Sequence, residues 1–254
     1  MLKAITKDKL TVQVYETRRE MGDAAGRDIA DCLRKLLAEQ DEVNMIFAAA
    51  PSQNETLEAL CAADGIDWTR VNAFHMDEYI GLAEGDSRTF VTYLNGHIFG
   101  KLPFKAVYCI RGFENDIDAE CARYTELLER YPTDITVLGI GENGHIAFND
   151  PWIAQFNDDV LIKKVPLDEV CRMQQVHDGC FPTLDDVPTH ALSLTIPALT
   201  KAKAMFCSVP AKTKREAVTR TVNERISEDC PATIMRLHDN AVMYCDSDSG
   251  ADLL

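Results

Sequence analysis

A loop with the sequence GIGENGHIAFNDP, residues 139–151, combines glycines with side chains that could do acid–base chemistry. It follows the strand-like run DITVL and contains a literal G-x-G-x-x-G in Gly139, Gly141 and Gly144. Such a motif indicates a dinucleotide site when its third glycine opens a helix and an acidic residue ends the next strand. Here Pro151 lies too close for a sound helix, and the following acids precede the next apolar run. The loop is therefore a weak match to a dinucleotide site.

The same loop predicts a different chemistry through Asn143, His145, Asn149 and Asp150. Glycines leave room for backbone N–H groups to face a ligand. Histidine titrates near neutrality, and a nearby carboxylate such as Asp150 could fix its tautomer. The alternative is structural: His145 binds loop backbone, while Asn149 and Asp150 form an Asx turn before the proline. The spacing alone leaves both interpretations open.

A second candidate segment, FHMDEYIGL, places Asp77 and Glu78 directly after an apolar strand. Adjacent residues leaving a strand point to opposite sides, so one acid could face a crevice and the other solvent. A carboxylate in a partly apolar site can act as a general base. The alternative is a helix cap with a solvated neighbour.

A third segment, PAKTKREA, brings Lys212, Lys214 and Arg215 to the start of a predicted helix. Backbone N–H groups and the helix dipole favour an anion there, whereas basic side chains in the first turn oppose the dipole. An anionic ligand and a simple solvated face both remain open. The six histidines lack the spacing of metal ligands, so no metal site is predicted.

The elements that must position these segments alternate along the chain. Short apolar runs begin at Val43, Val71, Ala106, Asp134, His190, Lys203 and Ala241. Amphipathic helices are predicted over residues 18–38, 55–62, 116–131 and 213–223. This order predicts a doubly wound α/β fold, with a mostly parallel sheet and helices on both faces. Ligands bind beyond the carboxyl ends of such strands, where the candidate segments lie.

Composition limits the function classes. With 254 residues, 46% of them hydrophobic, and no linker or internal repeat, the chain is predicted to form a single domain over residues 1–254. A formal net charge of −15 would repel nucleic acids and anionic membranes, so neither is a predicted partner. A small anionic substrate is still compatible, because a few local donors can outweigh a distant net charge.

The expected compartment is the cytoplasm. The N-terminal stretch lacks the apolar core of a signal peptide, and no apolar run approaches the ~20 residues of a membrane span. The nine cysteines are scattered without a C-x-x-C pair, so they are predicted to be reduced and to form neither a disulfide framework nor a zinc ribbon.

Four segments together resemble the glucosamine-6-phosphate deaminase (isomerase) family, in order and over nearly the whole chain. They are FHMDEYIGL, LGIGENGHIAFNDP, DVPTHALSLTIPAL, and KREAV followed by ISEDCPATIMRLH. The resemblance implies a Rossmann-like, doubly wound α/β fold and conversion of an amino-sugar phosphate, expected to be glucosamine 6-phosphate, to fructose 6-phosphate and ammonia. It implies no redox cofactor. Since relatives include monomers and larger assemblies, a homo-oligomer is compatible with the sequence.

The resemblance also implies residue roles. Asp77 matches the base that moves a proton between C2 and C1 of the sugar, and His145 matches the acid/base that opens the pyranose ring. Asp150 would orient His145, and Asn143 stands where many members have an aspartate. Lys214 matches the phosphate-contacting lysine. The predicted substrate- and phosphate-binding residues are Ser52, Gln53, Asn54, Glu78, Gly144 and Lys214.

Besides Asn143, and Asp150 in place of the commoner glutamate, the chain departs from the family pattern in two segments. The loop after the first predicted strand reads AAAPSQNET instead of a sequence like L-P-T-G-G-T-P, so the glycine-rich phosphate cradle is absent. Side chains of Ser52, Gln53 and Asn54 could donate hydrogen bonds in its place. Where many members have an arginine followed by two phenylalanines, this chain reads QQVHDGCF, with Gln174, His177 and Asp178 in that neighbourhood. The arginine that would grip a phosphate is missing there.

Two other functions remain open. Related 6-phosphogluconolactonases have a similar G-x-G-x-x-G-H loop, and lactone hydrolysis would use His145 to activate water without any need for Asp77. A non-catalytic sensor of sugar phosphates would account for the altered phosphate loop. It would have no use for two acid/base groups.

Overall fold

The computed structural model describes residues 1–177 and 179–254, so Asp178 lies outside the described residues. Its strands are β1 (Lys3–Lys7), β2 (Leu10–Val14), β3 (Val43–Phe47), β4 (Val71–His75), β5 (Asp77–Tyr79), β6 (Ala106–Tyr108), β7 (Ile135–Leu138), β8 (Ile162–Pro166), β9 (His190–Leu194), β10 (Ala204–Val209) and β11 (Ala241–Cys245). Its α-helices are α1 (Arg18–Glu39), α2 (Asn54–Cys61), α3 (Phe90–Leu94), α4 (Ile117–Arg130), α5 (Glu169–His177), α6 (Ile196–Thr200) and α7 (Arg215–Asn223).

The main sheet has eight strands in the order β1-β2-β11-β10-β7-β3-β4-β6. Strands β1 and β2 form an antiparallel hairpin at one edge, and every other pairing in this sheet is parallel. The predicted mostly parallel sheet is therefore confirmed. All of the predicted strand segments are present, although the one at His190 is β9, which belongs to a second, three-stranded antiparallel sheet ordered β5-β9-β8.

Helices cover both faces of the main sheet because its central strands are apolar on both sides. In β3, Met45 and Phe47 pack into one buried cluster together with Ile29 of α1. Ile46, which points the other way, packs into a second cluster together with Tyr124 of α4. This two-sided burial confirms the predicted doubly wound arrangement.

The predicted helix boundaries hold to within a few residues. Helix α1 follows the N-cap Thr17, whose hydroxyl accepts a hydrogen bond from the Glu20 N–H at 3.2 Å. Helix α4 follows the N-cap Asp116, whose carboxylate accepts a hydrogen bond from the Ala119 N–H at 2.9 Å. Throughout the described part of the chain, no helix is both long and apolar enough to cross a membrane.

Candidate active site

A cleft opens where the carboxyl ends of β3, β4, β7 and β10 meet. Its walls come from the residues that follow these strands: 48–52, 76–77, 139–141, 210–211 and 213–214. Further lining residues come from the His145 loop, from α5 and from the start of α1. The cleft therefore lies at the edge of the sheet that the sequence predicted.

Asp77 projects into this cleft from β5. That strand leaves the main sheet and pairs with β9, with Asp77 opposite Ser193. The side chain is buried, and no described residue donates a hydrogen bond to its carboxylate. Burial raises the pKa of Asp77 well above its usual value, and the charge of Glu78 adds to that rise. A carboxylate with raised proton affinity in a cleft is suited to general-base work.

Glu78 points to the opposite side of β5, as strand alternation requires, but it does not reach solvent. Its carboxylate accepts hydrogen bonds from the N–H groups of Tyr79, Phe90 and Val91 at 2.9, 3.1 and 3.0 Å. Burial raises the pKa of Glu78 to about 7, against the opposing effect of these bonds. The side chain holds the start of α3 and lines a second cavity on the far side of the strand. Glu78 was predicted to contact the substrate, but it lies outside the described lining of the cleft.

His145, Asn143 and Asp150 form one hydrogen-bonded group. The Nδ1 atom of His145 lies 2.9 Å from Asp150 Oδ1 and 2.8 Å from Asn143 Oδ1. The Asn143 amide donates to Asp150 Oδ1 at 2.8 Å. Because Nδ1 faces two oxygen acceptors, it carries a proton, and Nε2 is left to exchange protons with a ligand.

Asp150 is suited to orienting this histidine. Its burial would raise the pKa of the carboxyl, but the hydrogen bonds and charge of His145, with the Asn143 amide, lower the pKa below its usual value. Asn149, in contrast, is structural: its amide donates to the Ile146 and Leu194 carbonyls at 3.0 and 2.7 Å. Of the two residues for which the sequence left a structural role open, Asn149 has that role, whereas Asp150 binds the imidazole of His145.

The three glycines of the motif have separate roles. A Cβ at Gly141 would lie 2.1 Å from Cε1 and 2.2 Å from Nε2 of His145, so only glycine lets the imidazole lie on this backbone. Gly144 has a φ of +88°, and a Cβ there would lie 2.6 Å from Cys230 Sγ. At Gly139 a Cβ would lie 3.0 Å from Gln53 Nε2.

Two of the three glycine N–H groups are used within the loop and do not present the anion-binding surface that the sequence suggested. The N–H of Gly141 donates to the His145 carbonyl at 2.9 Å, and that of Gly144 to the Gly141 carbonyl at 3.0 Å. Gly144 is also absent from the described residues that line the cleft. The motif shapes a turn around His145 rather than a nucleotide-phosphate cradle.

The predicted phosphate-binding residues divide between the cleft and its support. Ser52 and Lys214 line the cleft. Gln53 is fully buried behind Ser52, and its amide donates to Ser52 Oγ at 3.0 Å and to the Ser208 carbonyl at 3.3 Å. Asn54 accepts a hydrogen bond from the Tyr93 hydroxyl at 2.6 Å. Neither Gln53 nor Asn54 belongs to the described lining of the cleft.

The basic cluster is divided in the same way. Lys214 is buried at the start of α7 and lines the cleft. Lys212 and Arg215 line a separate surface groove, where Arg215 forms an ion pair with Asp252. One of the three basic residues therefore faces the cleft, and the others are solvated.

Sequence reasoning missed several lining residues. Arg18, the first residue of α1, reaches the cleft beside Ser52, and Gln174 and Gln175 reach it from α5. Gln174 accepts a hydrogen bond from the Glu142 N–H at 3.0 Å. A basic residue in a first helical turn was available as a signal for Arg18, as it was for Lys214. No local pattern marks the two glutamines.

One cluster of three side chains has the residue types that commonly bind metal ions. Ligand atoms of His145, Asp150 and Cys171 lie within 4.8 Å of one another, and all three residues are buried. Histidine spacing could not reveal this group, because Cys171 comes from α5. Burial and the nearby carboxylates raise the pKa of the Cys171 thiol, whereas a metal would need the thiolate. In this geometry the cluster is a neutral thiol beside a hydrogen-bonded histidine–carboxylate pair.

Most of the chain matches a known protein family. Residues 16–244 match the family model described as glucosamine-6-phosphate isomerases/6-phosphogluconolactonase. The chain belongs to this family. Among its relatives, the glucosamine-6-phosphate deaminase of Listeria welshimeri is 36% identical over 210 residues, covering 83% of this chain and 88% of that protein. The glucosamine-6-phosphate deaminase of Bacillus cereus is 32% identical over 240 residues, covering 94% and 88%.

Solved structures of this family share the architecture. A monomeric glucosamine-6-phosphate deaminase superposes with a TM-score of 0.86 and 28% identity, covering 94% of this chain and 98% of that one. A 6-phosphogluconolactonase from Thermotoga maritima superposes with a TM-score of 0.76 and 20% identity, covering 94% and 100%. The second likeness shows the fold alone. The family resemblance and the Rossmann-like α/β fold predicted from the sequence are both confirmed.

Proposed function

We propose that this family member is a glucosamine-6-phosphate deaminase, which converts the amino-sugar phosphate and water to fructose 6-phosphate and ammonia. The observation that carries the proposal is the pairing of two different acid/base groups in one cleft. Asp77 and His145 both line it, with Asp150 behind the imidazole, together with cationic and hydroxyl groups for an anion.

Ring opening is assigned to His145. The closed sugar must lose a proton from its C1 hydroxyl and gain one at the ring oxygen. An imidazole whose Nδ1–H is held by Asp150 and Asn143 can move both protons through Nε2. Asp150 keeps this tautomer in place and would stabilise the imidazolium form that exists between the two transfers.

Isomerisation is assigned to Asp77. A carboxylate removes the proton from C2 and returns it to C1, which leaves the nitrogen on a carbon that can add water and release ammonia. Its raised pKa makes the carboxylate a stronger base toward the C2–H bond that it must break. The carboxylate accepts no competing hydrogen bond from the described residues, so it is available to the substrate.

The main competing function is hydrolysis of 6-phosphogluconolactone, the reaction named for several structural neighbours below 25% identity. That reaction needs an activated water, which His145 could supply, but no base at C2. The buried Asp77 in the cleft favours the deaminase. A sensor would need neither acid/base group.

The test is a parallel assay of ammonia and ketose phosphate release from glucosamine 6-phosphate and galactosamine 6-phosphate, and of acid release from 6-phosphogluconolactone. We expect turnover of an amino sugar, which Asp77→Asn should lower by about 10²- to 10⁴-fold. Asp239→Asn is the matched control, because that aspartate is exposed and pairs with Lys9. Near-normal activity of Asp77→Asn, or turnover of the lactone alone, would contradict the proposal.

We further propose that residues 1–254 act as one domain, in the cytoplasm, on a small sugar phosphate without a nucleic-acid or membrane partner and without a redox cofactor. The net charge of −15 supports the absence of polyanionic partners. One solved structure with the same architecture is a monomeric glucosamine-6-phosphate deaminase. Light scattering on the purified protein will distinguish a monomer from a homo-oligomer.

A further inference from the structure

Arg18 occupies the position in this cleft that best explains how an anion is held without the expected arginine. We infer that Arg18, at the start of α1, contacts the phosphate of the substrate together with Ser52 and Lys214. The inference rests on the proposed function for its choice of substrate. It concerns the end of the cleft that would bind the phosphate, to which the roles of Asp77 and His145 do not extend.

The charges around the cleft point to this pair of cations. Of the described residues that line it, Arg18 and Lys214 are the lysine and arginine side chains, and Asp77 is the one carboxylate. Two cations would attract a dianionic phosphate even though the whole chain is acidic, because local charges act at short range and the distant ones are screened.

The wall where the arginine was expected supplies amides instead. Gln174 and Gln175 of α5 line the cleft, and Gln174 Oε1 accepts a hydrogen bond from the Glu142 N–H. Amides can donate hydrogen bonds but bring no charge. A bidentate guanidinium contact must therefore come from another wall, and among the described lining residues only Arg18 carries that group.

The guanidinium of Arg18 is positioned in advance. Its Nε donates to Glu55 Oε2 of α2 at 2.8 Å, and an Nη2 hydrogen reaches the Pro51 carbonyl. These contacts fix the planar group beside Ser52 and use two of its five N–H donors. The side chain remains 36% exposed and lines the cleft, so a ligand in the cleft can reach it.

Ser52 completes the arrangement. Its Oγ accepts a hydrogen bond from the buried amide of Gln53 at 3.0 Å, so the hydroxyl hydrogen can point elsewhere and donate to an anion. Gln53 thus supports the phosphate site from behind. Arg18, Ser52 and Lys214 replace the cradle of glycine N–H groups with side-chain donors.

The experiment compares Arg18→Ala, Arg18→Lys and Arg19→Ala. Arg19 is the matched control: it is the next residue of α1, is more exposed, and makes an equivalent ion pair with Glu58 of α2. For each variant we would measure kcat and KM with glucosamine 6-phosphate. Calorimetry would give the Kd values of inorganic phosphate and fructose 6-phosphate, and thermal unfolding would check the fold.

We expect Arg18→Ala to raise KM and both Kd values by about 10- to 100-fold, the effect of losing charge-assisted hydrogen bonds, with little change in kcat. Arg18→Lys should lie between wild type and alanine, because it keeps the charge but loses the planar fork. Arg19→Ala should bind like wild type.

Equal binding by the two alanine variants would overturn the inference, as would failure of the wild-type protein to bind inorganic phosphate or fructose 6-phosphate at millimolar concentration. A fall in kcat and unfolding temperature with unchanged Kd would also overturn it, by showing a structural role. If no amino-sugar phosphate is turned over but Arg18→Ala still weakens phosphate binding, the proposed function fails and the Arg18 contact stands.

Discussion

Two adjacent carboxylates, Asp77 and Glu78, have different environments on the two sides of β5. Asp77 faces the cleft without a hydrogen-bond donor among the described residues, whereas Glu78 accepts three backbone N–H bonds. Both have a raised pKa because both are buried. Hydrogen bonding, rather than burial, therefore separates the reactive carboxylate from the structural one.

The raised pKa of Asp77 predicts opposite effects of Asp77→Asn on activity and on stability. An acid whose pKa is higher in the folded state stabilises the fold while protonated, and that stability is lost as the pH rises through the raised pKa. At neutral pH the asparagine variant, which cannot ionise, should unfold at a higher temperature than wild type. Near pH 3.8, the ordinary value of the group, the difference should shrink, since both side chains are then uncharged.

Thermal unfolding of both proteins across pH 4 to 8 measures this, with Asp239→Asn as control. Asp239 is 87% exposed and has a lowered pKa, caused by Lys9, so its replacement should not stabilise the protein at neutral pH. In wild type, kcat/KM should fall on the acid side as Asp77 becomes protonated. A lower unfolding temperature for Asp77→Asn at pH 7 would show that ionised Asp77 stabilises the fold.

Among the elements, the loop of residues 139–151 depends on the absence of a side chain at Gly141. It begins at the end of β7 and turns back so that the imidazole of His145 lies against Gly141. Its backbone is held by hydrogen bonds between residues 141 and 145 and by Asn149, which ties it to β9. The histidine is therefore positioned by backbone proximity as well as by Asp150.

This packing predicts that Gly141→Ala damages catalysis more than stability. The new Cβ would overlap the ring of His145, which must then move away from Asp150. A displacement of about 1 Å in a catalytic group can cost about 10²-fold in rate. Steady-state kinetics should therefore show a fall in kcat of that order, while the protein remains folded.

Gly96→Ala is the control for this substitution. A Cβ at Gly96 meets no atom within 4 Å, and its φ is not positive, so the variant should behave like wild type. If both alanine variants kept full activity, the close contact between Gly141 and His145 would not matter to catalysis.

For the molecule as a whole, the nine cysteines are free, and none is used to staple the fold. Cys171, Cys207, Cys230 and Cys245 are buried, and burial raises the pKa of each of these thiols. The large two-sided core supplies the stability that a small extracellular domain would obtain from disulfides.

We expect the unfolding temperature to be the same with and without a reductant. A thiol reagent at pH 7.5 should react with all nine cysteines in denaturant, and with the four buried ones in the native protein only as it opens. A drop in unfolding temperature on reduction would contradict the free-thiol state. Fast labelling of the buried cysteines would contradict the packing of the core.

The sequence predicted the fold because its signals are local. Apolar runs such as the one at Val43 and the stripe that begins after Asp116 repeat with the period of a strand or a helix. The edge hairpin β1–β2 was missed, although Leu10, Val12 and Val14 alternate with half-buried residues. The strands β5 and β8 were also missed, because short pairings in a second sheet depend on partners distant along the chain.

By itself, the sequence determined the α/β architecture, the edge of the sheet that would bear the site, and the candidates Asp77, His145 and Lys214, since periodicity and motifs are written in neighbouring residues. Only the tertiary structure decided which side chains face the cleft. It gave Gln53, Asn54 and Glu78 supporting roles and placed Arg18 against the Pro51 carbonyl, next to Ser52. The physical reason is that a side chain's direction and its long-range neighbours follow from how the elements pack, which residue order alone does not specify.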